Sequence, residues 1–161
     1  MSLGILIECD PVAPPIQPTR SLDDEVMEKL QQFAKCNELS AAHFTGIGAF
    51  ASVTVAWFDL ARKEYQPIRI DEQVEVLSLI GDVAESRGKP SVHAHICVAK
   101  RDGTAHGDHL QSGRVRPTLE LIVTESPAHL HKKFRPEFGV ALIDLNSSDA
   151  ENAHLQTSEK E

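Results

Sequence analysis

The stretch SVHAHICVAKRDGTAHGDHL at 91–110 restricts the fold more than any other part of the sequence. Val92, Ala94, Ile96 and Val98 alternate with His93, His95 and Cys97. That period of two belongs to a β-strand with one apolar face and one histidine face. Arg101-Asp102-Gly103 then fits a three-residue hairpin loop, a type I turn followed by glycine in the left-handed conformation. With this loop Lys100 pairs with Thr104, Ala99 faces Ala105, Cys97 faces Gly107 and His95 faces His109. Directly opposed residues share a face, with Cβ atoms roughly 5 Å apart. His93, His95 and His109 therefore converge, and Leu110 falls on the apolar side. A two-residue Asp-Gly loop or a bulge at Gly107 would turn His109 away.

Three neutral imidazoles on one rigid face suit a first-row divalent metal, zinc first, with a fourth position for water, a carboxylate or a substrate. Such a site is compatible with Lewis-acid or metal-hydroxide chemistry, and equally with a structural or ligand-sensing role. The competing reading is a polar sheet face of surface histidines. His106 and Asp108 fall on the opposite face by the same register; a bulge would bring Asp108 toward the histidines. Cys97 shares the histidine face, where a small buried thiol is its expected role and a ligand role the alternative. His129 and His131 stand two apart on an expected helix and do not face each other. His43 and His154 have no evident partner.

The other segments add strands and one clear helix. GILIEC at 4–9 reads as a short strand, and PVAPPIQP at 11–18 as an extended linker, since four prolines exclude a helix or central strand. Residues 21–36 read as a helix capped by Ser21, with Asp24 at its third position. Leu22, Val26, Leu30, Phe33 and Ala34 form its apolar stripe, and Asn37 ends it in the left-handed conformation. FTGIGAFASVTVAWFDL at 44–60 is a strand apolar on both faces, opened by a tight glycine turn. VEVLSLI at 74–80 is a strand ended by Gly81-Asp82, and TLELIVT at 118–124 is another. ESPAHLHKKF at 125–134 predicts a short helix with Ser126 as cap and Pro127 in the first position. Residues 140–145 form a last strand, and the polar stretch from Asn146 on is a disordered tail. The fold class is α+β, a mainly antiparallel sheet with one long and one short helix. The organisation is an N-terminal strand and linker at 1–20, a domain at 21–145 and a tail at 146–161.

The net charge of −8 repels phosphate backbones unless a local basic patch overcomes it, so direct DNA binding is disfavoured. Three scattered cysteines fit a reducing compartment rather than a disulfide framework. No apolar run approaches a membrane span, and the first residues lack the pattern of a signal peptide. A cytoplasmic location follows as the expectation.

SAAHFTGIGAF at 40–50, VEVLSLIGD at 74–82, VHAHICVAKRDGTAHGDHLQSGRVRPTLELIV at 92–123 and GVALIDL at 139–145 together resemble the PPC domain, named for plants and prokaryotes conserved. The resemblance covers roughly 21–145. It implies an antiparallel α+β fold, a homotrimer, and a metal, usually taken as zinc, on His93, His95 and His109. In plant members the domain accompanies AT-hooks and mediates self-association and contacts with nuclear proteins. Their partner-contact motif aligns with Val74–Leu79, which makes Glu75 a candidate interaction residue. Here GRVRP at 113–117 breaks the AT-hook core, and Asp108 replaces a family glycine beside His109. Three functions follow as expectations. The first is a trimeric metal protein that binds a small ligand or uses the metal in assembly. The second is a DNA-associated regulator acting through partners. The third is a metal-dependent hydrolase or lyase with Glu120 or Glu75 as acid or base.

Overall fold

The computed structural model describes residues 5–9, 24–126 and 129–146. Its elements run β1 (Ile5–Cys9), α1 (Val26–Cys36), β2 (Ala41–Asp59), β3 (Glu64–Ile70), β4 (Val74–Ser86), β5 (Lys89–Ala99), β6 (Ala105–Glu125), β7 (Lys132–Arg135) and β8 (Val140–Ile143). The first six strands form one sheet in the order β1-β6-β5-β4-β2-β3, and β7 and β8 form a separate hairpin. All pairings are antiparallel except β1 with β6. β6 also pairs with β2, which closes β2, β4, β5 and β6 into a ring.

Closure depends on two long strands that bend. β2 has 19 residues and β6 has 21, and their shared register shifts at several points. Such bulges bend and twist a strand. One lies between Gly46 and Gly48, where the GIG segment stays inside β2 instead of forming a turn. Gly48 has φ +153°, and a Cβ there would collide with the Thr118 carbonyl on β6. The expected close backbone approach is thus present, within a strand.

Inside the ring lie Phe44, Phe50, Leu79, Val98, Leu110, Leu119 and Leu121, all fully buried. α1 packs on β5 and β6 and adds Val26, Leu30, Phe33 and Ala34 to this core. β2 does not bury both faces as expected. After the register shift at Thr54/Val55, Val55 and Ala56 are buried while Trp57 is exposed.

The helix begins later than the capping pattern suggests, at Val26 with Glu25 as its N-cap. The Glu25 carboxylate accepts from the Glu28 amide at 2.8 Å and from the Gly113 amide of β6 at 2.9 Å. The Val115 amide donates to the Asp24 carbonyl at 3.0 Å. These bonds hold 24–25 extended against β6, so Asp24 lies outside the helix, buried and paired with Lys29 at 3.3 Å. The expected cap Ser21, the stripe residue Leu22, the linker at 11–18 and the tail beyond 146 fall outside the described residues. At the other end Asn37 keeps φ −100°, and Glu38 takes the left-handed conformation.

Two more expectations are corrected. β4 does not stop at Gly81-Asp82 but runs on to Ser86. The Phe44 ring lies where a Gly81 Cβ would stand, so this glycine makes room for the core rather than a turn. The short helix at 125–134 is absent among the described residues; Lys132–Arg135 is a strand paired with β8. The Glu85 amide donates to the Leu130 carbonyl, and the Asp144 amide to the His131 carbonyl, both at 2.7 Å. Buried Asp144 also pairs with Arg135 at 3.6 Å and Lys133 at 3.9 Å. These contacts hold the segment extended and override its helix-start signals.

Candidate metal centre

The β5–β6 turn has the three-residue geometry. The Gly103 amide donates to the Lys100 carbonyl and the Lys100 amide to the Thr104 carbonyl, both at 2.9 Å, with Gly103 at φ +82°. The pairs are Ala99 with Ala105, Cys97 with Gly107 and His95 with His109. A Cβ at Gly107 would run into the Ile96 carbonyl, so glycine lets the two strands approach here.

His93, His95 and His109 come together on the outer face of the ring, each with one ring nitrogen within 4.8 Å of the others'. Their ring centroids lie 4.9–5.3 Å apart. Asp82 stands opposite His93 on β4, and its Oδ2 lies 3.2 Å from His93 Nδ1. Lys132 Nζ, almost wholly buried, lies 2.5 Å from the other Asp82 oxygen. Burial pushes the Asp82 carboxyl up, but hydrogen bonds from His93 and Lys132 and their positive charge outweigh it and hold it below its ordinary value. An ionised carboxylate only accepts, so His93 Nδ1 carries the proton and Nε2 presents its lone pair.

His109 lies deeper. Its Nδ1 is buried and has no hydrogen-bond partner among the described residues. Burial, then the charges of His93 and His95, lower its pKa from 6.5 to about 4. Tyr65 of β3 packs on this ring with centroids 4.6 Å apart, and Phe58 packs on Tyr65 at 4.8 Å. Burial and the nearby Asp108 charge raise the Tyr65 pKa, which keeps the phenol protonated.

Of the other candidates, Asp108 lines the same cleft as the histidines, against the expectation that it faces away, and the rest lie apart. Cys97 is a half-buried free thiol outside the cluster. His106 is exposed, and Asp108 accepts from the His109 amide at 2.8 Å. His129 meets the Ser40 hydroxyl at 2.8 Å, and His131 pairs with Glu85 at 3.3 Å. Glu120 lines a different groove, with Ile47, Leu77, Ile80 and Ile122. Glu75 is exposed on β4 opposite Ala49 and Ala99. Neither glutamate lines the cleft at the histidines, whereas Asp108 does and Asp82 bonds His93. Sequence reasoning missed Asp82, Lys132 and Tyr65. Continuing β4 by its period of two would have placed Asp82 beside Ile80's face; Lys132 and Tyr65 carry no local signal.

A closed, mostly antiparallel sheet with one packed helix and an outer trio of histidines defines the class of protein. The family model for the Plants and Prokaryotes Conserved (PCC) domain matches residues 21–127, and the chain belongs to that family, also abbreviated PPC. A PPC protein from Pyrococcus horikoshii is similar, with 29% identity over 77% of this chain and 86% of that one, at a TM-score of 0.72. A protein from Ralstonia eutropha described as a candidate DNA-binding protein has 31% identity, coverages of 76% and 85%, and a TM-score of 0.71. A protein from Archaeoglobus fulgidus described as metal-containing has 28% identity, coverages of 77% and 88%, and a TM-score of 0.68. No curated protein matches the chain by sequence. Among the described residues, no helix is long and apolar enough to cross a membrane.

The depressed His109 pKa has a direct readout. In metal-free protein its imidazole stays neutral through mildly acidic pH and titrates near 4, read from side-chain nitrogen shifts by NMR. The unfolded chain takes up this proton first as pH falls below 6.5, so His109 removes stability between 6.5 and about 4. A midpoint at 6.5 would contradict the packing described for its ring.

Proposed function

We propose that the protein is a homotrimeric PPC-domain protein in which His93, His95 and His109 hold one divalent first-row ion, zinc foremost, with an open position for a small ligand. The observation that carries this is the convergence of three imidazoles, each with a ring nitrogen within 4.8 Å of the others', together with a buried His109 Nδ1 that has no hydrogen-bond partner among the described residues. A buried ring nitrogen without a partner costs free energy that a metal bond removes. The donor set suits zinc, which takes neutral imidazoles and binds a fourth group as a Lewis acid. Asp82 orients His93 through Nδ1 and leaves Nε2 for the metal, the usual carboxylate support of a ligating histidine. The Archaeoglobus relative described as metal-containing supports the same assignment.

The trimer rests on the outer sheet face. Ile47, Leu77, Ile80 and Ile122 are each more than half exposed around one groove. Ile80 and Ile122 both stand opposite Thr45, and Ile80 also faces His95. The apolar patch thus adjoins the histidines, and copies of the chain are its natural cover. Glu75, on the same strand as Leu77 and Ile80, fits a contact residue at this surface.

A DNA-associated role is the second reading, favoured by the description of the Ralstonia relative. The charge of −8 directs it through partner proteins rather than direct contact with DNA.

Elemental mass spectrometry of untagged protein tests the metal. About one zinc per chain is expected for the wild type and none for His109→Ala, while Asp82→Asn weakens zinc affinity about 10–100-fold. Wild-type protein that stays metal-free after zinc is supplied would contradict the proposal. Sedimentation tests the assembly: the wild type runs at three times the 17.7 kDa chain mass, and Ile122→Glu at a smaller mass. A monomeric wild type at micromolar concentration would remove the trimer.

A further inference from the structure

The three histidines open onto a cleft of about 450 Å³. Phe58 and Tyr65 line one part of it, and Phe134 and Leu142 of the β7–β8 hairpin line another. This hairpin follows the segment that the family model covers. Phe134 is 51% exposed and Leu142 45%, so apolar surface stands open to water beside a polar cluster. The volume is in the lower part of the range for small-molecule sites, roughly 300–1,000 Å³.

Charge narrows the occupant. Three neutral imidazoles leave the +2 of a bound ion undiminished. Lys132 and Asp82 cancel each other in their ion pair, and Asp108, which also lines the cleft, supplies one negative charge. One positive charge remains for a ligand to neutralise. Among the described residues that line the cleft, Lys132 is the one Lys or Arg, and Asp82 already holds it. A phosphate dianion would therefore find few donors, whereas a carboxylate matches both the charge and the metal. The apolar walls ask for a hydrophobic body behind that carboxylate.

We propose that this cleft binds a small carboxylic acid with an aryl or branched alkyl body. The carboxylate turns to the histidine trio, and the body lies between the aromatic pair Phe58/Tyr65 and the hairpin residues Phe134 and Leu142. The proposal rests on the metal assignment above. It makes the C-terminal hairpin the specificity element of the site, tied to the metal ligands through Lys132, Asp82 and His93.

Cobalt-loaded protein tests it, because the visible absorption of the ion reports changes in its ligands. Benzoate, acetate and inorganic phosphate are titrated in turn. Benzoate is expected to reach half-saturation at about one tenth of the concentration acetate needs, with phosphate no better than acetate. The double variant Phe134→Ser/Leu142→Ser changes exposed side chains outside the core. It should take up cobalt as the wild type does and lose the benzoate preference. Equal response to benzoate and acetate, no response to either, stronger phosphate binding, or a preference that survives in the variant would each overturn the cleft proposal and leave the metal assignment standing. Failure to take up cobalt would overturn both.

Discussion

Between β5 and β6, two backbone hydrogen bonds around Arg101-Asp102-Gly103 set the register that places His95 opposite His109. A slip of one residue would send His109 to the core side and Leu110 to the surface, because side chains alternate with a period of two. The apolar set Ala94, Ile96, Val98 and Leu110 resists that slip, since all four are buried inside the ring. The core therefore enforces the histidine geometry: the residues that stabilise the fold also fix the face on which the imidazoles meet.

The ring of strands extends this coupling. β4 continues past Gly81, paired with β2 and β5, and the Phe44 ring fills the space a side chain at Gly81 would occupy. The continuation carries Asp82 into register with His93 and close to Lys132. One glycine in the sheet thus permits both a core contact and the carboxylate that orients a candidate ligand. From the other side, β3 brings Tyr65 onto His109. Residues from β3, β4, β5, β6 and β7 surround one cluster, which gives the imidazoles a firm setting.

What the sequence made legible was local. The Asp-Gly turn and the alternation on either side of it carry their own geometry, so the three-histidine face could be counted out. The α1 stripe was legible for the same reason. The helix start was not, because Glu25 is fixed by Gly113, 88 residues away. The strand character of β7 was hidden by Ser126-Pro127, a sound helix-start signal, and decided by backbone bonds to Glu85 and Asp144. Asp82 was hidden because Gly-Asp usually marks a turn. The partners of a site that arrive from distant strands leave little trace in a short window of sequence.

X-ray absorption at the zinc edge of zinc-loaded, untagged protein tests the central claim most directly. Three imidazole nitrogens at about 2.0–2.1 Å, with the outer-shell scattering of their rings, are expected, completed by oxygen. A sulfur at about 2.3 Å would bring Cys97 into the site, and fewer than three imidazoles would break the histidine trio; either result would contradict the account.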